Sequence, residues 1–305
     1  MTSRVRLAAL LGGATVAICL VVLVVARPPA ALWPLFARDQ PSDLAGEPAP
    51  PVTKPPAVRV AVAGDTGTGD PSEADTARQM AAQGRTRPYD ALLLLGDLVY
   101  EDGEAKLTDR VVTEPFEAVL RGGATLLPVL GNHDYASGEQ QQILEELGRR
   151  EAWYVQRIGQ LRVVVLDSNQ VSNPVQTQWL RETLAVPQPT DTWTVAAMHH
   201  PGYSAGYHGS DLEVREAWGP LFAEYDVPLV LAGHDHDYQR STPQDGVTYV
   251  VSGAGAKLRP TGSEDFTAVS ASVLHYVDLL VYADRLVMSA IDQTGTLVDT
   301  FTIDR

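Results

Sequence analysis

Two histidines separated by a single residue, His234 and His236, follow a short apolar run and a glycine. Imidazole nitrogens are common ligands of transition metals, and a pair at the end of a β-like run is typical of a metal site. We interpret the neighbouring Asp235 and Asp237 as groups that orient the imidazoles or face solvent. One such pair predicts a metal-binding turn but does not define a site.

Four earlier stretches have the same arrangement, in which an apolar run stops at a turn that carries Asp, Asn or His. In a sheet of mainly parallel strands the carboxyl ends share one edge, so residues far apart in sequence meet there. Taken singly, the turns at Asp65 and Asn132 are better explained as an ordinary turn and a helix cap. Five such ends in one chain instead favour a shared site, which adds the candidate ligands Asp65, Asp97, Asn132 and His199.

The chemistry of these side chains suits a pair of metal ions. Carboxylate and amide oxygens are ligands of hard cations, and imidazole suits transition metals. A carboxylate has two oxygens, so one aspartate can bridge two ions. Two bridged ions can hold a phosphoryl oxygen, lower the pKa of a bound water and stabilise an in-line displacement. The predicted reaction is therefore hydrolysis of a phosphate ester.

The same stretches resemble the calcineurin-like metallophosphoesterases, and within them the purple acid phosphatases of the tartrate-resistant type. The resemblance extends from about residue 58 to the C terminus and rests on five motifs in the family's order: residues 64–67, 96–100 and 131–134, the segment around His199, and residues 233–236. It implies an α/β fold in which two mixed β-sheets pack face to face with flanking helices, the four-layer metallophosphoesterase sandwich.

The resemblance also implies which residues hold each of two metal ions. Asp97 would bridge them; Asp65, Tyr100 and His236 would complete one site, and Asn132, His199 and His234 the other. Tyr100 distinguishes the purple branch because a phenolate is a hard, anionic ligand suited to Fe(III). The second ion would be Fe, Zn or Mn. The alternative for Tyr100 is a side chain that only packs against the core.

Three further histidines lie in or beside the motifs. His133 and His208 match histidines that in relatives face the phosphate, which implies catalytic roles in binding the anion and assisting the leaving group. His199 and His200 are adjacent, so they cannot both point the same way from one strand end. The family pattern assigns the ligand role to His199, and we expect His200 to support the ligands from behind.

Hydrolysis of phosphate monoesters, of the acid phosphatase type, is the leading hypothesis, with a phosphorylated small molecule or phosphoprotein as substrate. A phosphodiesterase or nucleotidase with the same metals is the alternative within this class. A binding or adhesion protein that has lost turnover is a third hypothesis, but each motif retains its ligand. The net charge of −15 argues against nucleic acid as a partner, beyond a nucleotide substrate.

The elements that position these residues follow from hydrophobic patterning. From residue 57 onward, β-branched or leucine-rich runs alternate with helical stretches, which predicts an α/β layered domain. Helices are expected at residues 71–82, 106–121, 138–149, 174–184 and 211–224, and strands at 58–64, 91–95, from 126, 161–166 and 192–197. After Gly246 only strands follow, at residues 247–251, 272–281, 285–292 and 296–303. They predict a second, more antiparallel sheet.

Residues 7–26 form a run of 20 without a charge, preceded by Arg4 and Arg6. A helix of this length spans about 30 Å, enough to cross a bilayer. We therefore predict a membrane anchor or uncleaved signal at residues 1–27, a proline-rich linker at 28–56 and the catalytic domain at 57–305. The transmembrane helix would tether the catalytic domain outside the cytoplasm. Secretion after signal cleavage is the alternative.

Overall fold

The computed structural model describes residues 45–47 and 55–305. Its five α-helices within this part of the chain are α1 (Pro71–Gln83), α2 (Glu117–Arg121), α3 (Gln140–Glu146), α4 (Pro174–Ala185) and α5 (Leu212–Glu224). The strands are β1 (Val58–Ala63), β2 (Ala91–Leu94), β3 (Thr125–Pro128), β4 (Tyr154–Ile158), β5 (Leu161–Val165), β6 (Trp193–Ala197), β7 (Leu229–Ala232), β8 (Tyr238–Ser241), β9 (Thr248–Ser252), β10 (Thr267–Ala271), β11 (His275–Val281), β12 (Arg285–Asp292) and β13 (Leu297–Asp304).

These strands form two mixed sheets. The first has six strands in the order β13-β12-β11-β1-β2-β3, and the second has seven in the order β10-β8-β9-β7-β6-β5-β4. Strands β1, β2 and β3 run parallel to one another, as do β5, β6, β7 and β9. The outer strands on the remaining sides are antiparallel. Each sheet therefore has a parallel part whose carboxyl ends open on one edge.

Alternation along the strands explains the layering. The valines of β1 face a core shared by both sheets, to which Val195 of β6 and Leu231 of β7 also belong. The alternate residues Ala61 and Ala63 pack with Met80 of α1 on the outer side of the first sheet. Helices α4 and α5 cover the outer side of the second sheet. The predicted arrangement of two mixed sheets packed face to face with flanking helices is confirmed.

The assignment of strands to sheets differs from the sequence expectation. The strands after Gly246 do not form a sheet of their own, because β11, β12 and β13 extend the first sheet beside β1 while β9 lies beside β7 in the second. Patterning identifies strands by their alternation but carries no information about which neighbour they pair with. Strands β4, β8 and β10 were not predicted.

The helix expected at residues 106–121 is also different in the structure. It is divided into a 3₁₀ turn at Ala105–Leu107, a π turn at Asp109–Thr113 and the short helix α2. Pro115 lies between the last two pieces. Proline lacks an N–H and restricts the residue before it, which explains the break.

A buried ion pair joins β1 to β11. The Nε and Nη2 atoms of Arg59 donate to the two carboxylate oxygens of Asp278 at 2.9 and 2.6 Å, and the arginine is fully buried. Bidentate pairing of this kind satisfies both charges in a fixed geometry. It secures β1, the strand that leads into Asp65, to its antiparallel neighbour.

The N-terminal predictions lie outside the described residues. This holds for the anchor at residues 1–27 and for the linker at 28–56, apart from residues 45–47, 55 and 56. In the described part of the chain, every helix is too short or too polar to span a bilayer. Backbone hydrogen bonds connect Gly46 and Glu47 to Leu297 at the start of β13. The membrane attachment and the extracytoplasmic location stay predictions.

Candidate metal centre

Five strand ends converge where the parallel parts of the two sheets meet. Asp65 follows β1, Asp97 follows β2 and Asn132 lies beyond β3, all in the first sheet. His199 follows β6, and the pair His234 and His236 follows β7, in the second sheet. The topology therefore brings together residues that are up to 171 positions apart in the chain.

Three of these residues adopt a left-handed backbone conformation directly beyond the strand end. The φ angles are 57° at Asp65, 51° at Asp97 and 73° at His234. Such values are uncommon outside glycine, although Asp and His tolerate them better than most residues. Conformations of this kind persist where the surrounding structure fixes them and cluster at functional sites.

Glycine allows the chain segments to approach closely at two points. A Cβ atom on Gly131 would lie 2.2 Å from the backbone nitrogen of Asp97, and one on Gly96 would lie 2.4 Å from Nδ1 of His199. Both distances are far inside van der Waals contact. A side chain at either position would displace a candidate ligand.

The first group of side chains surrounds the hydroxyl of Tyr100. This oxygen lies 2.8 Å from Oδ2 of Asp97, 3.0 Å from Oδ1 of Asp65 and 3.2 Å from Nε2 of His236. Nε2 of His236 lies 3.3 Å from the same oxygen of Asp65. Three oxygens and one nitrogen thus point at a common position, which matches the set expected for one ion.

The second group forms around Nε2 of His199. This nitrogen lies 3.1 Å from Oδ1 of Asn132, 3.2 Å from Nδ1 of His234 and 3.4 Å from Oδ1 of Asp97. Asp97 therefore presents one oxygen to each group. All seven predicted ligands are brought together, divided as the resemblance implies, and the donor set fits two adjacent cations.

Buried hydrogen bonds orient these side chains. Nδ1 of His199 lies 2.8 Å from the carbonyl oxygen of Leu95, which aims Nε2 at the second group. Asp134 accepts hydrogen bonds from the backbone N–H groups of Val99 and Gly131, at 2.9 and 2.7 Å. It thereby connects the loops after β2 and β3. Asp134 lies in the motif at residues 131–134, but no pattern in the sequence indicates this connecting role.

The electrostatics of the groups call for bound cations. Burial raises the pKa of the Asp65 carboxyl well above its usual range, and the neighbouring Asp97 adds to the shift. Burial and the same two carboxylates raise the pKa of Tyr100. Burial lowers the pKa of His199, and it lowers that of His236 to about 4, with Arg259 contributing. Neutral imidazoles are competent ligands, and positive ions would offset the repulsion between the carboxylates.

A cavity of about 120 Å³ opens over the two groups. The predicted catalytic residues His133 and His208 both line it. Nε2 of His133 lies 3.9 Å from Oδ2 of Asp97, and the His208 ring centroid lies 4.4 Å from that of His234.

The cavity is also lined by Lys257 and Arg259, which the sequence analysis missed because their loop carries no motif. The available signal was a pair of basic residues in an acidic chain.

The remaining polar residues near the motifs have structural partners. Asp235 is buried and accepts hydrogen bonds from the backbone of His208 at 2.6 Å and of Gly209 at 3.1 Å, and from the hydroxyl of Ser204. Nδ1 of His200 is 2.8 Å from the hydroxyl of Ser168, and the imidazole also lies with those of His199 and His234 in a group whose ligand atoms are within 4.8 Å of one another. Asp235 therefore holds the loop that carries His208 and does not face solvent.

Comparison with known proteins agrees with this geometry. Residues 58–238, more than half of the chain, match the family described as calcineurin-like phosphoesterase. Human tartrate-resistant acid phosphatase type 5 is 30% identical, with 68% of this chain and 75% of that protein covered. Purple acid phosphatase 3 of Arabidopsis thaliana is 25% identical, with 70% and 68% covered.

A solved structure supports the fold independently. The purple acid phosphatase PPD1 from yellow lupin seeds superposes with a TM-score of 0.73 at 20% identity, covering 85% of this chain and 55% of that one. The fold and the matches define a phosphoric ester hydrolase with a dinuclear metal site. The chain belongs to the calcineurin-like phosphoesterase family and, within it, to the purple acid phosphatase branch.

The hold of Asp235 on the His208 loop is testable by hydrogen exchange. Asp235→Ala removes the acceptor for three donors, so local opening of residues 204–210 should become easier by about 2 kcal/mol, a roughly thirtyfold faster exchange. Mass spectrometry of peptides from this loop measures the effect, and peptides from β12 serve as the internal control. Unchanged exchange in the loop would contradict the assignment.

Proposed function

We propose that this enzyme hydrolyses phosphate monoesters at a dinuclear metal centre held by Asp65, Asp97, Tyr100, Asn132, His199, His234 and His236. The observation that carries the proposal is the position of Asp97, whose two oxygens reach different groups of ligand atoms. A bridging carboxylate is the arrangement that keeps two ions close enough to act on one phosphoryl group.

When bound, the ions would polarise the phosphoryl group and supply a nucleophile from water. The protein's own residues orient the ester around them. His133 is placed by its backbone N–H, which donates to Oδ1 of Asp97 at 2.9 Å, while its Nδ1 lies 2.5 Å from the carbonyl oxygen of Glu101. Both His133 and His208 line the cavity. In this position the two imidazoles would contact the substrate anion and give a proton to the leaving oxygen.

The side chains that line the cavity favour monoesters over diesters. The imidazoles of His133 and His208, which line the cavity, would bind the non-bridging oxygens of a dianion, and a diester carries one negative charge fewer for them to bind. Relatives named as acid phosphatases support this preference.

Substrate comparison tests the function directly. The metal-loaded enzyme should hydrolyse 4-nitrophenyl phosphate with a kcat/KM at least about tenfold above that for bis(4-nitrophenyl) phosphate, since only the monoester is a dianion that the cavity accommodates. Adenosine monophosphate, assayed in parallel, separates a general monoesterase from a nucleotidase. Faster turnover of the bis-ester would establish the phosphodiesterase alternative instead.

Removal of the bridging carboxylate tests the dinuclear centre. Asp97→Ala should lower the metal content below two ions per chain and reduce aryl phosphate hydrolysis by more than about a hundredfold, the loss that supporting residues of metal sites already produce. Metal analysis and the hydrolysis assay measure the two effects. Asp284→Ala, an exposed aspartate in the β11–β12 turn, is the control. Retention of both ions and of turnover in Asp97→Ala would refute the bridge.

Tyr100 carries the proposal that one ion is Fe(III), with Fe, Zn or Mn as the second. Its hydroxyl lies among the first group of ligands, within 3.2 Å of Asp65, Asp97 and His236. A phenolate bound to Fe(III) produces a visible charge-transfer band, so Tyr100→Phe should abolish the colour of the iron-loaded protein. Absorption spectra with metal analysis measure this. A wild-type enzyme that is active and colourless with two zinc or manganese ions would exclude iron.

A further inference from the structure

Two basic side chains, Lys257 and Arg259, line the mouth of the cavity that contains the candidate ligands. Both belong to the loop between β9 and β10. The chain has 23 lysines and arginines against 38 aspartates and glutamates, so acidic side chains outnumber basic ones and the net charge is −15. Positive charge at the entrance of such an acidic protein is where an anionic substrate benefits most.

Lys257 is held near the first group of ligands but keeps an exchangeable partner. Its Nζ atom lies 3.7 Å from the ring centroid of Tyr100 and 2.5 Å from a carboxylate oxygen of Glu101. The Glu101 side chain is 64% exposed. Exposed ion pairs contribute little to stability, so an anion drawn in by the metal centre can take the place of Glu101.

Arg259 is fixed by contacts with His236 and Tyr207. Its backbone N–H donates to the carbonyl oxygen of His236 at 2.8 Å, and its Nε lies 3.4 Å from Nδ1 of the same histidine. Its guanidinium carbon lies 4.5 Å from the ring centroid of Tyr207, in the loop that carries His208. A planar guanidinium with several N–H donors suits a carboxylate or phosphate.

We propose that Lys257 and Arg259 bind a second anionic group of the substrate, so that the enzyme prefers monoesters whose leaving group carries a carboxylate or another phosphate. The inference rests on the proposed monoesterase function. The cavity has room for the scissile phosphoryl group, and a second anion on the leaving side would lie at the mouth between the two cations. Glu101 lowers the preference because it competes for Lys257.

Matched substrates test the second-anion site and distinguish the two anions. One pair is 3-phosphoglycerate and glycerol 3-phosphate, which differ by a carboxylate; the other is fructose 1,6-bisphosphate and fructose 6-phosphate. The wild-type enzyme should favour the more anionic member in kcat/KM. Lys257→Met should reduce that preference about tenfold, mainly through KM. A preference in only one pair still supports the site and identifies which anion it takes.

Further variants control for charge and folding. Lys106, which pairs with exposed Glu104 outside the cavity, offers the matched control Lys106→Met, and this variant should keep the wild-type preference. Lys257→Arg should restore most of it. Glu101→Gln should increase the preference for the more anionic substrate. This variant tests the site even if the lysine variants fail to fold. Arg259→Gln should lower the same preference. Its metal content must be measured as well, because Arg259 contacts the candidate ligand His236.

Two results would overturn the inference. Equal losses for both members of each pair in Lys257→Met would show a general role of the lysine and leave the monoesterase function intact. If the wild-type enzyme hydrolyses no monoester, the proposed function fails separately, and calorimetric binding of inorganic phosphate and pyrophosphate to the metal-loaded protein still tests the site. A Lys257→Met variant that retains the wild-type affinity ratio for these two anions would then reject it.

Discussion

The position of one buried carboxylate determines how the whole centre is built. Asp97 is 1% exposed, and its two oxygens lie 2.8 Å from the Tyr100 hydroxyl and 3.4 Å from Nε2 of His199. A second buried carboxylate, Asp65, belongs to the same group as Tyr100. Two neighbouring carboxylates away from water repel each other unless positive charge lies between them. The raised pKa of Asp65 reflects this repulsion, and cations held by the surrounding donors would relieve it.

The two sheets supply different kinds of donor. The oxygen donors Asp65, Asp97, Tyr100 and Asn132 come from loops of the first sheet, and the imidazoles of His199, His234 and His236 come from the second. Each group of ligand atoms combines both kinds, so each ion would bind the sheets to one another. The apolar core between the sheets sets their separation, because close-packed side chains resist sliding. Precise packing far from the centre thus controls distances between ligands within it.

Much of this arrangement could be predicted from sequence because it is local. An apolar run that stops at a glycine and a polar ligand identifies a strand end, and strands β1, β2, β6 and β7 were located in this way. The pairing of strands that are distant in the chain cannot be predicted from local sequence patterns. The strands β11 to β13 read equally well as a separate sheet, and only their contacts with β1 show otherwise. The helical break is local too, because Pro115 marks it in the sequence.

The functional site likewise combines residues that the sequence predicts with residues that it does not. The ligands stand at fixed places in motifs, whereas Lys257 and Arg259 reach the cavity from the loop between β9 and β10, two strands that are separated in the sheet by β8. Lys257 and Arg259 matter because they lie close to the metal ligands, where their charges are least screened. At physiological ionic strength, interactions between exposed charges are largely screened beyond about 8 Å, so most of the negative charge of the chain has little effect at the cavity. The few cations within that radius, on side chains or bound by the ligands, decide whether a dianion is attracted or repelled. An acidic protein can therefore act on anions provided that its scarce positive charges lie at the mouth of the centre.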